Sequence, residues 1–127
     1  METILRGEDK VIHFVLSNEN GTALDLTTLA GYIVILYYKE GGAVLKKYSK
    51  NTLSGYSGVV AVSDVDGTFD INLQSEDTKT ANIGIIHAEL KTQVVNAGFS
   101  SSTFHTVVRG LEIGEVSDAI SKVVLSL

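Results

Sequence analysis

Tyr32-Ile33-Val34-Ile35-Leu36-Tyr37-Tyr38-Lys39 is the stretch whose reading decides the fold. Its residues are almost all β-branched or aromatic, the types that fit a pleated surface. Successive side chains of a strand point to opposite faces. Tyr32, Val34, Leu36 and Tyr38 therefore share one face, and Ile33, Ile35 and Tyr37 share the other. A strand that is apolar on both faces sits centrally in a sheet or is covered by another chain. Gly31 opens this strand and Gly41-Gly42 turns the chain after it.

The same punctuation recurs on both sides. Upstream, Lys10 to Leu16 is a strand ending at Ser17-Asn18-Glu19-Asn20-Gly21, where Asn-Gly is a strong tight-turn pair. Leu24 to Leu29 is too short and mixed for a strand and reads as a helical turn. Downstream, Ala43 to Ser49 returns with the charges of an edge strand, and Asn51 to Gly58 is a loop. Val59 to Ser63 and Thr68 to Leu73 form a hairpin about Asp64-Val65-Asp66-Gly67. Ser75 to Ala81 is a helical turn capped by Ser75. Ile83 to Val95 is the longest strand, Asn96 to Ser102 a Gly/Ser loop, and Thr103 to Ile113 the closing strand. About seven strands, with turn signals at intervals of roughly eight to twelve residues, predict an all-β sandwich of two sheets.

The end of the chain has a different texture. Val116, Ile120, Val123, Val124 and Leu127 fall at helical spacing with Ser117 as N-cap, while Lys122 to Leu127 also fits a strand. The expected organisation is a sandwich over residues 1–116 and an extension over 117–127 whose apolar side chains need a partner surface. The candidate interface residues are Tyr37, Tyr38, Ile120, Val123, Val124 and Leu127.

The composition excludes several classes of function. The 127 residues include 44% hydrophobic and 20% charged, enough for both a core and a solvated surface. A net charge of −5 argues against nucleic acid as the main partner, because duplex binding draws on clustered Lys and Arg. Lys46-Lys47 with Lys50, broken by Tyr48, reads as one wet strand face. With no cysteine, disulfides, thiolate metal sites and thiol catalysis are impossible. The acidic start does not read as a signal peptide, and no apolar run approaches the roughly 20 residues of a membrane helix. Proline is absent too, so sheet edges must be managed by charge, bulges or partner chains.

No constellation of catalytic residues emerges. Asp64, Asp66, Gly67 and Asp70 evoke a calcium loop, but the glycine falls too early and Ser75 stands where the closing glutamate belongs. A hairpin turn accounts for them. If the two longest strands pair across their loop, Gln93 lies opposite His105, and His87 is then roughly 20 Å away, too far to share a metal. His13 has no partner histidine nearby in sequence. Gly55-Tyr56-Ser57-Gly58 lacks the final glycine of a nucleophile elbow. Tyr37, Tyr38, Tyr48 and Tyr56 are candidates for a sugar-binding platform, with core and interface packing as the plainer reading. No enzyme activity, cofactor or metal is expected.

The opening third runs Leu5-Arg6-Gly7-Glu8-Asp9, the strand Val11 to Leu16, Asn20-Gly21, Leu24-Asp25-Leu26-Thr27 and the strand from Tyr32. Later, Asp77-Thr78 precedes a long strand and Gly110 precedes Leu111-Glu112-Ile113. This layout resembles the small immunoglobulin-like domains of tailed-bacteriophage structural proteins, such as the N-terminal domain of upper baseplate proteins. The resemblance covers most of residues 4–116 through short motifs. It implies an immunoglobulin-like sandwich in which Arg6, Gly7 and Glu8 form the opening turn and Asp25, Leu26 and Thr27 the turn into the second strand. It also implies a virion component, made in the bacterial host cytoplasm, that works by contacts with other virion proteins and with itself, in a tail, baseplate, head-decoration or fibre-anchoring role. Neither nucleic acid nor membrane is an expected partner. The alternative from another class is a free-standing binding module for a cell-surface glycan or protein.

Overall fold

The computed structural model describes residues 2–96, 99–100 and 104–117. In chain order the strands are β1 (Glu2–Leu5), β2 (Lys10–Val15), β3 (Leu29–Tyr38), β4 (Val44–Ser49), β5 (Ser57–Gly58), β6 (Val60–Ser63), β7 (Thr68–Leu73), β8 (Gly84–Asn96), β9 (Phe99–Ser100) and β10 (His105–Ser117). A 3-10 turn, Leu26–Thr28, precedes β3, and one short helix, α1 (Ser75–Lys79), follows β7. The strands form two sheets: a large one in the order β1-β10-β8-β3-β4-β5, with β9 hydrogen-bonded to β8, and a small one in the order β2-β7-β6.

The core lies between the sheets and follows from strict alternation. Ile12 and Phe14 of β2 and Phe69, Ile71 and Leu73 of β7 point inward, against Tyr32, Val34 and Leu36 of β3 and Ile86, Ala88 and Leu90 of β8. Phe14 stacks on Phe69 with ring centroids 5.0 Å apart, and Tyr32 tilts against the same ring at 5.0 Å. Such pairs add to the area they bury. As its two-sided pattern requires, β3 is central, flanked by β4 and β8. Its inner face is fully buried, while on its outer face Ile33 is buried and Ile35 and Tyr37 are half-buried.

Several expectations need correction. About seven strands become ten segments, two of them only two residues long. β1, read as a lead-in to the opening turn, is a strand pairing in parallel with the far end of β10, Glu2 to Gly114 and Leu5 to Ser117. The segments 51–58 and 96–102, read as loops, contain β5 and β9. The closing strand runs past Ile113 through Ser117, so Val116 is a fully buried core residue and Ser117 is no helix cap. The cap of α1 is Gln74, not Ser75: Asp77 accepts a hydrogen bond from the Gln74 N–H in a capping box. His105 stands opposite Thr92 rather than Gln93, and His87 opposite Glu112, with three register shifts along β10.

Lys46 and Lys47, read as neighbours on one wet face, point to opposite sides of β4, as period-2 alternation demands. Lys46, Tyr48 and Lys50 lie on the inner side, opposite or bonded to Leu36, Val34 and Tyr32 of β3.

Two local devices hold the opening turn and the turn into β3. Buried Thr78 of α1 donates its hydroxyl to the Glu8 carbonyl at 2.7 Å and accepts from the Gly7 N–H at 3.0 Å. Asp25 accepts from the Thr27 N–H at 3.0 Å, and Leu26 beside it is fully buried. The Thr27 hydroxyl and N–H hold the Asp25 carboxyl below its ordinary pKa. Short polar side chains next to backbone N–H groups explain both, as in other caps and Asx turns.

Candidate functional site

A sandwich has two seams where the edges of its sheets meet, and here they differ. On the β4/β6 side the seam is closed. The Tyr48 hydroxyl donates to the Asn72 carbonyl of β7 at 2.8 Å. Lys46 ion-pairs with Asp77 of α1, and Lys50 stands 3.9 Å from Asp64 at the end of β6. The chain itself crosses at Val59, leaving β5 in one sheet for β6 in the other, while the Val59 N–H donates to the Ser49 carbonyl. The lysine stems cover apolar surface, and their ammonium groups emerge at carboxylates of the opposite layer.

The β2/β10 seam is open. β1 fills its first part: Ile4 is fully buried, and Glu2 meets Lys10 of β2 at 3.8 Å. But β1 pairs only with Gly114–Ser117. Among the described residues, β10 from His105 to Ile113 has a ladder partner on the β8 side only, and β2 has one on the β7 side only. Two confluent depressions lie along these free edges. One, of about 310 Å³, lies between Ile12–Leu16 and Leu111–Ile113. The other, of about 370 Å³, is lined by Leu16, Leu24, Leu29, Leu90, Val107 and Val108, with Glu19 at its rim. They share Leu16. Val107, Val108 and Leu111 are 54%, 38% and 43% exposed, and Val11 and Val15 of β2 are exposed beside them.

The cause lies in sheet dimensions. β8 and β10 each run for 13 residues, whereas β2 and β7 run for six, so the large sheet overhangs the small one. An inner face without an opposing layer keeps its apolar side chains in water. The bulges of β10 fall in this overhang. At one of them Gly110, with φ +74, donates its N–H to the Tyr37 hydroxyl at 2.9 Å.

The residues singled out from sequence fall elsewhere. Tyr37 lies on the outer face of the large sheet, its ring edge-on to His87 at 5.6 Å. Tyr38 faces the other way, against the core, and its hydroxyl accepts from the Asn82 N–H. Tyr48 is buried, so the four tyrosines do not converge on one platform. Ile120, Val123, Val124 and Leu127 lie outside the described residues. His13 pairs with Asp70 at 2.6 Å on the outer face of the small sheet, while His87 approaches Glu112 at 3.7 Å in the large one. Lys39, 3.0 Å from Glu112, is the main reason that carboxyl sits below its ordinary pKa, with His87 contributing less. Among the described residues, no group of three His, Asp or Glu side chains is placed to hold a metal, and no helix is long and apolar enough to cross a membrane.

Sequence reasoning missed the seam because free edges are a property of strand order. The absence of proline and the apolar run at Thr106-Val107-Val108 were the only signals of it. No family model matches the sequence, and no curated protein does.

Proposed function

We propose that this protein is a non-enzymatic building block of a bacteriophage particle that works through protein–protein contacts. The observation that carries the reading is the open seam: two free strand edges over an apolar floor, a surface suited to another polypeptide rather than to a small polar substrate. The short sequence motifs shared with tailed-phage domains supply the particle. Both motifs serve as structural turns, Gly7 and Glu8 held by Thr78 and Leu26 buried under its Asp25 cap.

The immunoglobulin-like assignment belongs to the same proposal, and strand order supports it. The second, seventh and sixth strands share the small sheet, while the tenth, eighth, third and fourth lie side by side in the large one. Immunoglobulin domains divide their strands between sheets in this manner, and variable-type domains carry extra strands beyond the third. Fold alone does not carry function. The test is therefore made on particles. Phage propagated or induced from the genome that encodes this chain are purified on a density gradient and analysed by quantitative mass spectrometry. Recovery of the chain at a fixed copy number per particle is the expected result. A chain found only in the free protein fraction refutes the reading.

A further inference from the structure

We propose that the open seam is filled by the segment Lys122–Leu127 of a second copy of this chain, added as an antiparallel strand to the free edge of β2. This rests on the reading of the seam as an assembly surface and names its occupant.

The two free edges are not equivalent. β10 is interrupted by register shifts near Val107, Arg109 and Ile113, and bulges blunt an edge against pairing. β2 pairs with β7 without a shift from Lys10 to Val15, so its other edge is a regular template. A strand laid there must alternate: every second side chain enters the seam over Ile12, Phe14 and Leu16, opposite Leu111 and Val108.

Ser121-Lys122-Val123-Val124-Leu125-Ser126-Leu127 has that alternation. With Leu127 opposite Ile12, Leu125 opposite Phe14 and Val123 opposite Leu16, three branched apolar side chains enter the seam. Val124 and Ser126 then lie on the outer face beside exposed Val15 and His13. The same register sets Lys122 beside Ser17, next to the Glu19 at the rim of the groove. Parallel addition would carry Lys122 to the other end of β2, where Lys10 stands. Charge and pattern therefore select one direction.

Geometry selects a second copy over the same one. Ser117 lies at the Leu5 end of the seam, beside the start of β2. Lys122 is needed beyond Leu16, about 20 Å away along the strand, with β1 in the path. Five residues reach at most about 18 Å. Two copies exchanging these segments form a closed, two-fold pair.

The test compares the full chain, a chain ending at Ser117, and the full chain carrying Leu111→Lys, by sedimentation over a range of concentrations, with circular dichroism to establish folding. The proposal expects a dimer for the full chain and folded monomers for both others. It also expects the synthetic peptide Ser121–Leu127 to bind the shortened chain. Lys122→Glu and Glu19→Lys should each weaken the dimer about fivefold, and together restore it. Dimers that survive the shortening but are lost with Leu111→Lys overturn the occupant and leave the seam as an interface. Dimers indifferent to both changes, or a full chain that stays monomeric, overturn seam and occupant together. A shortened chain that is unfolded overturns the proposal, since the segment then belongs to its own domain.

Discussion

Replacing Leu36 by Ala removes three carbon atoms from the middle of the central strand, and the structure fixes how much that should cost. Leu36 is fully buried on the inner face of β3, in register with Ala88 of β8 and Lys46 of β4. Ala88 is too small to close the gap and the Lys46 ammonium is committed to Asp77, so a cavity remains. A buried Leu→Ala change with poor collapse costs about 3–5 kcal/mol. Ile35, one residue earlier, is the control. It lies on the outer face between Lys47 and Glu89, half-buried, beside a shallow depression of about 180 Å³ that water already reaches. Ile35→Ala loses only part of its buried area and leaves no closed void, about 1 kcal/mol. For a domain of this size each kcal/mol moves Tm by about 3–5 °C. The expected drops are therefore above 10 °C for Leu36→Ala and about 4 °C for Ile35→Ala. Urea unfolding should give the same order with unchanged slopes. Equal losses, or a larger loss at Ile35, would show that the face assignment of β3 is wrong and with it the two-layer core.

Three other perturbations test other parts of the structure. Gly67 has φ +71, and a Cβ there would stand 2.6 Å from the carbonyl oxygens of both Leu16 and Leu24. Gly67→Ala should therefore cost more than about 2 kcal/mol by chemical denaturation, whereas Gly55→Ala, with open space around it, should cost about 1. Glu112, held below its ordinary pKa chiefly by Lys39, contributes stability above the ordinary carboxylate range that disappears as pH falls through the folded value. Thermal melts of Glu112→Gln should accordingly show a flatter acid limb than the parent. Burial, with Asp64 adding, pushes Tyr32 up to about 12, so its share of stability is complete below pH about 10 and lost as pH rises from there toward 12. Its buried hydroxyl has no hydrogen-bond partner among the described residues, while that of Tyr48 serves the Asn72 carbonyl. Tyr32→Phe should be neutral or stabilising and delay alkaline unfolding, and Tyr48→Phe should cost about 1–3 kcal/mol.

The parts of the fold legible in the sequence were those set by local chemistry. The two-sided run from Tyr32 declared a central strand, and Asp66-Gly67 declared a hairpin, because alternation and positive φ are properties of single residues and their neighbours. β1 escaped because its pairing is parallel and spans almost the whole chain, with nothing local to mark four residues as a strand. The register of β8 on β10 slipped because bulges insert residues that alternation alone cannot locate. Lys46 and Lys50 were misplaced because charge was read as exposure. Both are inward positions whose ammonium groups reach water at the margin of the core.

The contrast between the seams follows from what each strand places at its inward positions. On β4 those positions are Lys46 and Tyr48, long side chains with polar ends, and the facing layer offers Asp77, Asn72 and Asp64 at matching heights. A side chain that crosses from one layer to the other both covers apolar surface and satisfies its own polar end, so the seam closes within a single chain. On β10 the residues facing the other seam are Val108, Leu111 and Ile113, and on β2 they are Ile12 and Phe14. None is long enough to bridge the layers, and none carries a donor or acceptor for the free backbone groups of either edge. Solvent can satisfy those backbone groups but not the apolar floor between them. A monomeric protein ordinarily protects such an edge with an inward lysine or a proline. Here the inward positions of β2 are wholly apolar and the chain has no proline, so the only protection is the bulging of β10. That protects one strand of the two. The regular edge of β2 is left as the place where adding a strand removes the most apolar surface from water while satisfying the most backbone, and its exposure in a single copy is the physical reason to look for the protein in an assembly.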